Sequence, residues 1–440
     1  MIARLLARVG LVTPEQRAWA WYDWANSVYF TTVITAVFPS FYSTYAAKGL
    51  EPAQASARFA FITTVSVLII ALLAPILGAL ADYSGMKKRL LGIFMTIGVT
   101  SCALMVLIGE GDIMLASVLF FVGNIGVSGS TVFYDSLLPH VARPEETDRV
   151  SSAGYAIGYL GGGVLLAINL LMIQQPGWFG LPADGTAVRL SLASVGIWWL
   201  LFSIPLFRVV PEPAKRLETD EQPGGNAFAT GVRRLIETLK ELRRYKQAFL
   251  LLLAFLVYND GIQTIIRMAT IYGASLKLDE SAMITALLIT QFTGVPFAFL
   301  FGHAAGIIGP KRAVFVGLGV YALITLLGYY MQTATHFFML AILVGMVQGG
   351  TQALSRSMFA SMIPRHKSSE FFAFFGVFER YAGILGPLVF ASMVDATGSS
   401  RNAILAVLGF FIVGGGLLLF VDVEGGRRAA RAAEAALVRS

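Results

Sequence analysis

"GALADYSGMKKRL", Gly78 to Leu90, decides the fold through what lies on either side of it. Upstream, 59–81 is an almost unbroken apolar run, and downstream 90–109 is another. Each has about the 20 residues that a helix needs to cross a bilayer. Between them sit Asp82, a glycine free to turn the chain at Gly85, and the basic trio Lys87, Lys88 and Arg89. Two apolar runs joined by a short basic turn read as two membrane helices meeting at the positively charged face. In hydrocarbon a backbone must satisfy its own polar groups, so such runs are helices rather than open sheets.

Working outward, ten further runs of this kind follow: 19–46, 112–134, 150–174, 187–207, 247–273, 281–303, 313–332, 335–357, 369–393 and 402–421. Composition agrees, with 56% hydrophobic against 13% charged residues and a mean hydropathy of +0.71. A soluble domain carries nearly twice that share of charge. The expected class is an all-α membrane protein of twelve transmembrane helices, so the lipid bilayer is its solvent.

A net charge of +7 raises the question of nucleic acid, and the placement of the charge answers it. With alternating helices and the first residue in the cytoplasm, 25 of the 33 Lys and Arg residues fall on cytoplasmic segments. Only Lys48, Arg58, Arg189, Lys277 and Arg401 fall in outer loops, and three lie inside helices. That bias sets a topology with both termini cytoplasmic and leaves no nucleic-acid footprint. The N-terminal "MIARLLARVGLVTPEQR" is too short and broken for a signal peptide. It reads as an amphipathic lead-in, with Pro14 opening the first helix. Cys102 is the single cysteine, which excludes an intramolecular disulfide and a cysteine metal cluster.

The longest polar stretch divides the chain into 1–207, a linker 208–246, 247–421 and a cytoplasmic tail 422–440. The linker begins Pro/Gly-rich. It then sets Phe228, Val232, Leu235, Ile236, Leu239 and Leu242 at helical spacing among basic residues, the pattern of an amphipathic surface helix. The two halves echo each other. "GHAAGIIGPKRAV", Gly302 to Val314, repeats the opening stretch, with Gly78, Gly85 and Lys87 falling on Gly302, Gly309 and Lys311 at an offset of 224. Gly161 and Gly386 pair at an offset of 225. Two pseudo-symmetric six-helix bundles are the layout of a secondary transporter, with a substrate site between them near the membrane midplane.

The G-x-x-x-D-x-x-G-x-K/R-K/R pattern after the second helix resembles the signature of the major facilitator superfamily; in the second copy Gly306 replaces the acid. "YDWANSVYFTTVITAVFP", "VFYDSLLPHVA", "GYAIGYLGGG", "YNDGIQTIIRMA" and "GGTQALSRSMFASMIP" together resemble the vacuole-effluxer, autophagy-related branch of that superfamily. The resemblance implies the major facilitator fold, a bacterial-type member in the inner membrane, and export of amino acids, with which the fungal members are associated. It also implies that Gly78, Asp82, Gly85, Lys87 and Lys88 make contacts linked to conformation rather than to substrate.

Depth along each helix, at 1.5 Å per residue, selects candidate substrate residues. Asp260 lies roughly 20 Å into the seventh helix and Glu379 and Arg380 roughly 15 Å into the eleventh. Asn124, Gln291 and Gln348 fall at similar depth, Asn26 is shallower, and Gln263 shares a face with Asp260. Asp260 is either a structural acid or, with Glu379, a proton carrier, since an ionisable residue inside a membrane points to function. Glu379 and Arg380 diverge on their helix. They form inter-helix salt bridges, or else Arg380 receives a substrate carboxylate in its fork while an acid faces the ammonium. Tyr155 and Tyr159 either line the cavity or pack. Asp23, Asp135 and Arg356 sit near inner helix ends, where an Asp23–Arg356 pair would act as a gate; the plainer alternative is a hydrated acid at headgroup level. The glycines of "GYAIGYLGGG" allow close helix approach.

None of the histidines forms an H-E-x-x-H pair, and neither a phosphate-binding G-x-x-x-x-G-K-[ST] loop nor a G-x-S-x-G elbow is present. This excludes the common hydrolase and ATP-driven classes. The expectation is a proton-coupled secondary transporter without metal or cofactor, monomeric, carrying small zwitterions. A cavity of aromatics with few acids would suit efflux of amphipathic drugs instead.

Overall fold

The computed structural model describes residues 6–7, 9–182, 184–214, 245–275, 280–383 and 385–439. The amphipathic stretch expected at Phe228 to Leu242 lies outside them. The first span, α1, starts at Pro14, where Thr13 and Gln16 form a reciprocal cap: the Thr13 hydroxyl accepts the Gln16 amide at 3.2 Å and Gln16 Oε1 accepts the Thr13 amide at 3.1 Å. It is α-helical over Pro14–Val28, widens into π turns over Tyr29–Ala36, tightens over Phe38–Phe41 and widens again over Tyr42–Ala46. The sequence led us to expect one regular helix over 19–46. Five consecutive β-branched residues, Thr31 to Thr35, crowd ordinary α turns, and Pro39 has no amide hydrogen to donate.

Among the described residues, eleven further helices are long and apolar enough to span a membrane. They are α2 (Pro52–Ser84), α3 (Lys87–Leu104), α4 (Ile113–Ser136), α5 (Thr147–Gln174), α6 (Thr186–Val209), α7 (Lys246–Ser275), α8 (Glu280–Ile308), α9 (Pro310–Tyr329), α10 (Ala334–Ser361), α11 (Ser368–Tyr381 and Leu385–Thr397) and α12 (Ser400–Ala406 and Leu408–Leu419). Helices α1–α6 pack on one another, as do α7–α12, and the halves meet where α5 crosses α8 and α10 and where α11 crosses α2 and α4.

The repeat legible in the sequence is a packing repeat. A Cβ on Gly78 would stand 2.5 Å from the Ser369 carbonyl oxygen of α11, and one on Gly302 would stand 2.7 Å from Ser152 Cβ of α5. The same bare position thus lets α2 meet α11 and α8 meet α5. Lys88 Nζ donates to the Phe207 and Val210 carbonyls at the end of α6, at 3.1 and 2.6 Å. Lys311 Nζ donates to Leu419 and Val421 at the end of α12, at 2.9 and 2.8 Å. A lysine there satisfies orphan carbonyls and the negative end of the helix dipole. By contact, then, the counterpart of Lys311 is Lys88 and not Lys87, one residue from the register of the sequence echo.

Glycines of α5 admit α1: a Cβ on Gly158 would lie 2.6 Å from Ser27 Oγ, and one on Gly161 would lie 2.5 Å from the Trp24 carbonyl oxygen. Near the C-terminal end, 422–439 is packed against the rest of the molecule. Helix α13 (Val423–Arg439) lies on the α10–α11 turn, with Glu434 accepting the Arg365 amide at 2.9 Å and Arg427 Nε reaching Ser361 Oγ at 3.1 Å. We call the face carrying α13 and the start of α1 the terminal face.

Candidate functional site

Between the bundles lies a cavity of about 670 Å³. Its middle is polar and its far end apolar, with Phe59, Phe120, Met283 and Phe337 on the side away from the terminal face. Asn26, Asn124, Tyr159, Gln263, Gln291, Gln348, Glu379 and Arg380 all line it. Asn124 is held by its Nδ2 donating to Ser66 Oγ at 2.7 Å, while Gln291 Oε1 is buried without a partner. Tyr159 is a wedge: its ring fills the space a Cβ would need at Gly294 of α8 and at Gly349 of α10. The π turns of α1 bring Phe30, Thr31, Ile34 and Thr35 to the wall.

Asp260 corrects our expectation of a cavity acid. It is 1% exposed and does not line the cavity, because α11 is broken beside it. Gly383 takes φ +91°, a conformation that costs glycine nothing, and the helix restarts at Leu385. A restarted helix bares amide hydrogens. Asp260 takes two of them, Oδ2 from Leu385 at 3.1 Å and Oδ1 from Gly386 at 2.7 Å. On the other side of the break, Arg267 donates to the Gly383 carbonyl at 3.1 Å. Helix α7 therefore grips both loose ends of α11, and Thr264 occupies the space beside Gly386 that a side chain would need.

Glu379 and Arg380 do not pair. Arg380 is held by Ser128 of α4, Nε to the hydroxyl at 3.1 Å and NH2 to the carbonyl at 3.0 Å, and by the Gly376 carbonyl at 3.1 Å. None of these partners carries a charge. Glu379 faces the cavity with no hydrogen bond or ion pair among the described residues.

The cavity floor is a knot around Arg356 of α10, itself only 3% exposed. Its NH1 reaches Asp135 of α4 at 2.9 Å, its NH2 reaches Asp23 of α1 at 3.5 Å, and its Nε reaches Ser151 of α5 at 3.0 Å. Tyr134 donates to Asp23 at 2.7 Å, and the guanidinium lies 4.5 Å from the centre of the Tyr155 ring and 4.9 Å from that of Trp19. A charge so far from water needs this many partners. Asp23 is thus buried in the floor rather than hydrated at headgroup level.

A second cross-bundle contact lies nearer the terminal face. Asp82 accepts the Ser369 and Glu370 amides at 3.3 and 2.9 Å, capping α11 from α2, and pairs with Lys87 at 2.6 Å. Lys87 also reaches Ser368 Oγ at 2.5 Å. Gly85, at φ +67°, makes the turn that brings Lys87 back to Asp82. Gly306, in the acid's place in the second repeat, meets nothing.

A cavity between two related half-bundles, closed on one face by cross-bundle ion pairs and helix caps, defines a carrier of the major facilitator type. Residues 52–431 match the family described as vacuole effluxer Atg22 like, and the chain belongs to that family. The MFS-type transporter YxiO of Bacillus subtilis (strain 168) is 37% identical over 94% of this chain and 96% of its own length. Autophagy-related protein 22 of Yarrowia lipolytica is 29% identical over 66% of this chain and 52% of its own length. Among solved structures, the proton:xylose symporter XylE superposes with a TM-score of 0.69 at 14% identity, covering 93% of this chain and 95% of that one. The human organic anion transporter MFSD10 gives 0.62 at 14% identity, covering 92% and 99%. These likenesses establish the fold. The protein is a multi-pass membrane transporter of small molecules and not an enzyme.

Among the cavity and floor residues that sequence reasoning passed over are Arg267, Ser128, Gln352 and Ser151. Arg267 had a signal, being a basic residue inside an apolar run. The small serines had none.

Proposed function

We propose that this protein exports small zwitterions, amino acids first among them, in exchange for protons by alternating access. It does so as a monomer in a bacterial inner membrane with both termini in the cytoplasm. The placement of basic residues supports that orientation, and the terminal face is then the cytoplasmic one. With its floor closed there, an outward-facing reading of this state is supported. The observation that carries the substrate reading is the pair Glu379 and Arg380. Both line the cavity, they do not bond each other, and the guanidinium fork has only neutral partners. A carboxylate matches the fork in two places and an ammonium matches the glutamate. With Asp260 turned to amides, Glu379 is the cavity acid placed to carry a proton.

The apolar far end of a 670 Å³ cavity favours one second reading, efflux of amphipathic compounds. Purified protein in liposomes, screened with amino acids and with cationic dyes with and without a pH gradient, separates the two. Gradient-driven amino-acid flux lost in Arg380→Ala and uncoupled in Glu379→Gln is the expected result. Dye flux that survives Arg380→Ala, with no amino-acid flux, overturns it.

A further inference from the structure

Arg267 is the cavity cation that a simple zwitterion leaves unused. It stands on α7, lines the cavity and is exposed within it. Among the described residues it makes one hydrogen bond, to the Gly383 carbonyl, so most of its five N–H donors remain open. It has no ion pair with any described carboxylate. Asp260 lies two turns away on the same helix, about 10 Å of rise, and each of its oxygens is already held by an amide. An arginine kept open at this depth is costly unless something uses it.

The position of Arg267 relative to the other two charges says what would use it. Its guanidinium carbon would lie 3.1 Å from a Cβ on Gly383, and Glu379 and Arg380 stand about one turn earlier on α11. Three charges that line the cavity therefore stand beside one short segment of α11, two cations and one anion, while the Asp260 carboxylate on the same segment is turned out of the cavity onto the Leu385 and Gly386 amides. Outside the floor knot, a neutral amino acid satisfies Glu379 and Arg380 and leaves Arg267 unmatched. A substrate with a second carboxylate matches all three, and a matched set is what a low-dielectric cavity favours.

We propose that Arg267 is a second carboxylate position in this cavity and that the preferred substrates are dicarboxylic amino acids. One carboxylate takes the Arg380 fork, the other takes Arg267, and the ammonium takes Glu379. The inference rests on the amino-acid reading above and sharpens it. Because Arg267 also holds the Gly383 carbonyl, a carboxylate arriving there touches the joint at which α11 is broken.

The test is binding to the purified full chain, read by thermal shift, with L-glutamate, L-glutamine, L-aspartate, L-asparagine and glutarate. Glutamate and aspartate should bind about tenfold or more tighter than their amides. Arg267→Met should bring them down to the amide level while leaving glutamine binding within about twofold, which also shows that the variant is folded. Arg267→Lys should keep part of the preference, as a point charge without the fork. Equal binding of glutamate and glutamine by the parent protein overturns the proposal, and that comparison needs no variant. So does a preference that survives Arg267→Met. If neutral amino acids bind as well as acidic ones, the amino-acid reading stands and the second position falls. If glutarate binds through Arg267 and no amino acid binds, the second position stands and the amino-acid reading falls.

Discussion

Arg356 of α10 and Asp135 of α4 meet at 2.9 Å across the join between the two half-bundles, and Asp23 of α1 shares the same guanidinium at 3.5 Å. One cation thus ties three helices of different bundles at the floor of the cavity. Rocking the bundles apart on this face has to pull Arg356 from both acids, and we propose that the knot is a gate whose two halves lie on separate bodies.

Removing the cation is more damaging than removing one acid. Arg356→Ala leaves two buried carboxylates facing each other, a change of the kind that costs about 3–5 kcal/mol. We expect a clear fall in melting temperature and an opened floor. A cysteine at Ser27, which lines the cavity, should react with a membrane-impermeant reagent only from the far face in the parent protein. In Arg356→Ala it should react from the terminal face as well. Asp135→Asn keeps a hydrogen-bond acceptor and should behave mildly; full closure in Arg356→Ala would dismiss the gate.

Two glycines of the repeated motif, Gly78 of the first copy and Gly306, which stands in the place of Asp82 in the second, predict unequal sensitivity to alanine. A Cβ at Gly78 would press on the Ser369 backbone at 2.5 Å, whereas one at Gly306 meets nothing. Backbone cannot move aside as a side-chain tip can, so Gly78→Ala should reduce transport by about tenfold or more through forced separation of α2 and α11. Gly306→Ala sits in an open helical position and should stabilise by up to about 1 kcal/mol. Transport rate and melting temperature of the two variants check this, and equal effects would contradict the packing described.

Asp82 holds α11 through two amides and neutralises buried Lys87, which is 3% exposed. Asp82→Ala removes a helix cap, worth about 1 kcal/mol, and strands an ammonium among neutral groups, which costs more. The pair Asp82→Ala with Lys87→Met should recover part of that loss, because it removes the stranded charge. A double variant no more stable than Asp82→Ala alone, in thermal unfolding, would show that the charge pair contributes little.

How much of this was legible beforehand follows the physics of each signal. The spans, the two halves and most of the polar cavity wall could be read, because a polar residue at the middle of an apolar run has few places to go except inward. Asn26, Asn124 and Gln348 were found that way. The fate of Asp260 was not legible, because depth gives position along a helix but not what the neighbouring helix does. Gly386 reads in the sequence as the echo of Gly161, and it is the break of α11 at Gly383 that turns this stretch into a source of bare amides that captures the acid. The Lys88–Lys311 equivalence was hidden because a one-residue register shift preserves the motif's appearance while changing which lysine reaches the carbonyls.

Asp260 and Glu379 give the sharpest contrast to test. Asp260 is inside the protein with both oxygens on α11 amides, and Glu379 is in the cavity with no described partner. Asp260→Asn keeps one acceptor but points an amide group at a backbone N–H, so it should cost about 1–3 kcal/mol of stability while leaving the proton dependence of transport intact. Glu379→Gln should do the reverse, with near-parental melting temperature and transport that no longer responds to a pH gradient. Flux measured in liposomes with imposed gradients, beside thermal unfolding of the same preparations, reads both quantities. Loss of gradient dependence in a well-folded Asp260→Asn protein would return the proton to Asp260 and require α11 to close its break during the cycle.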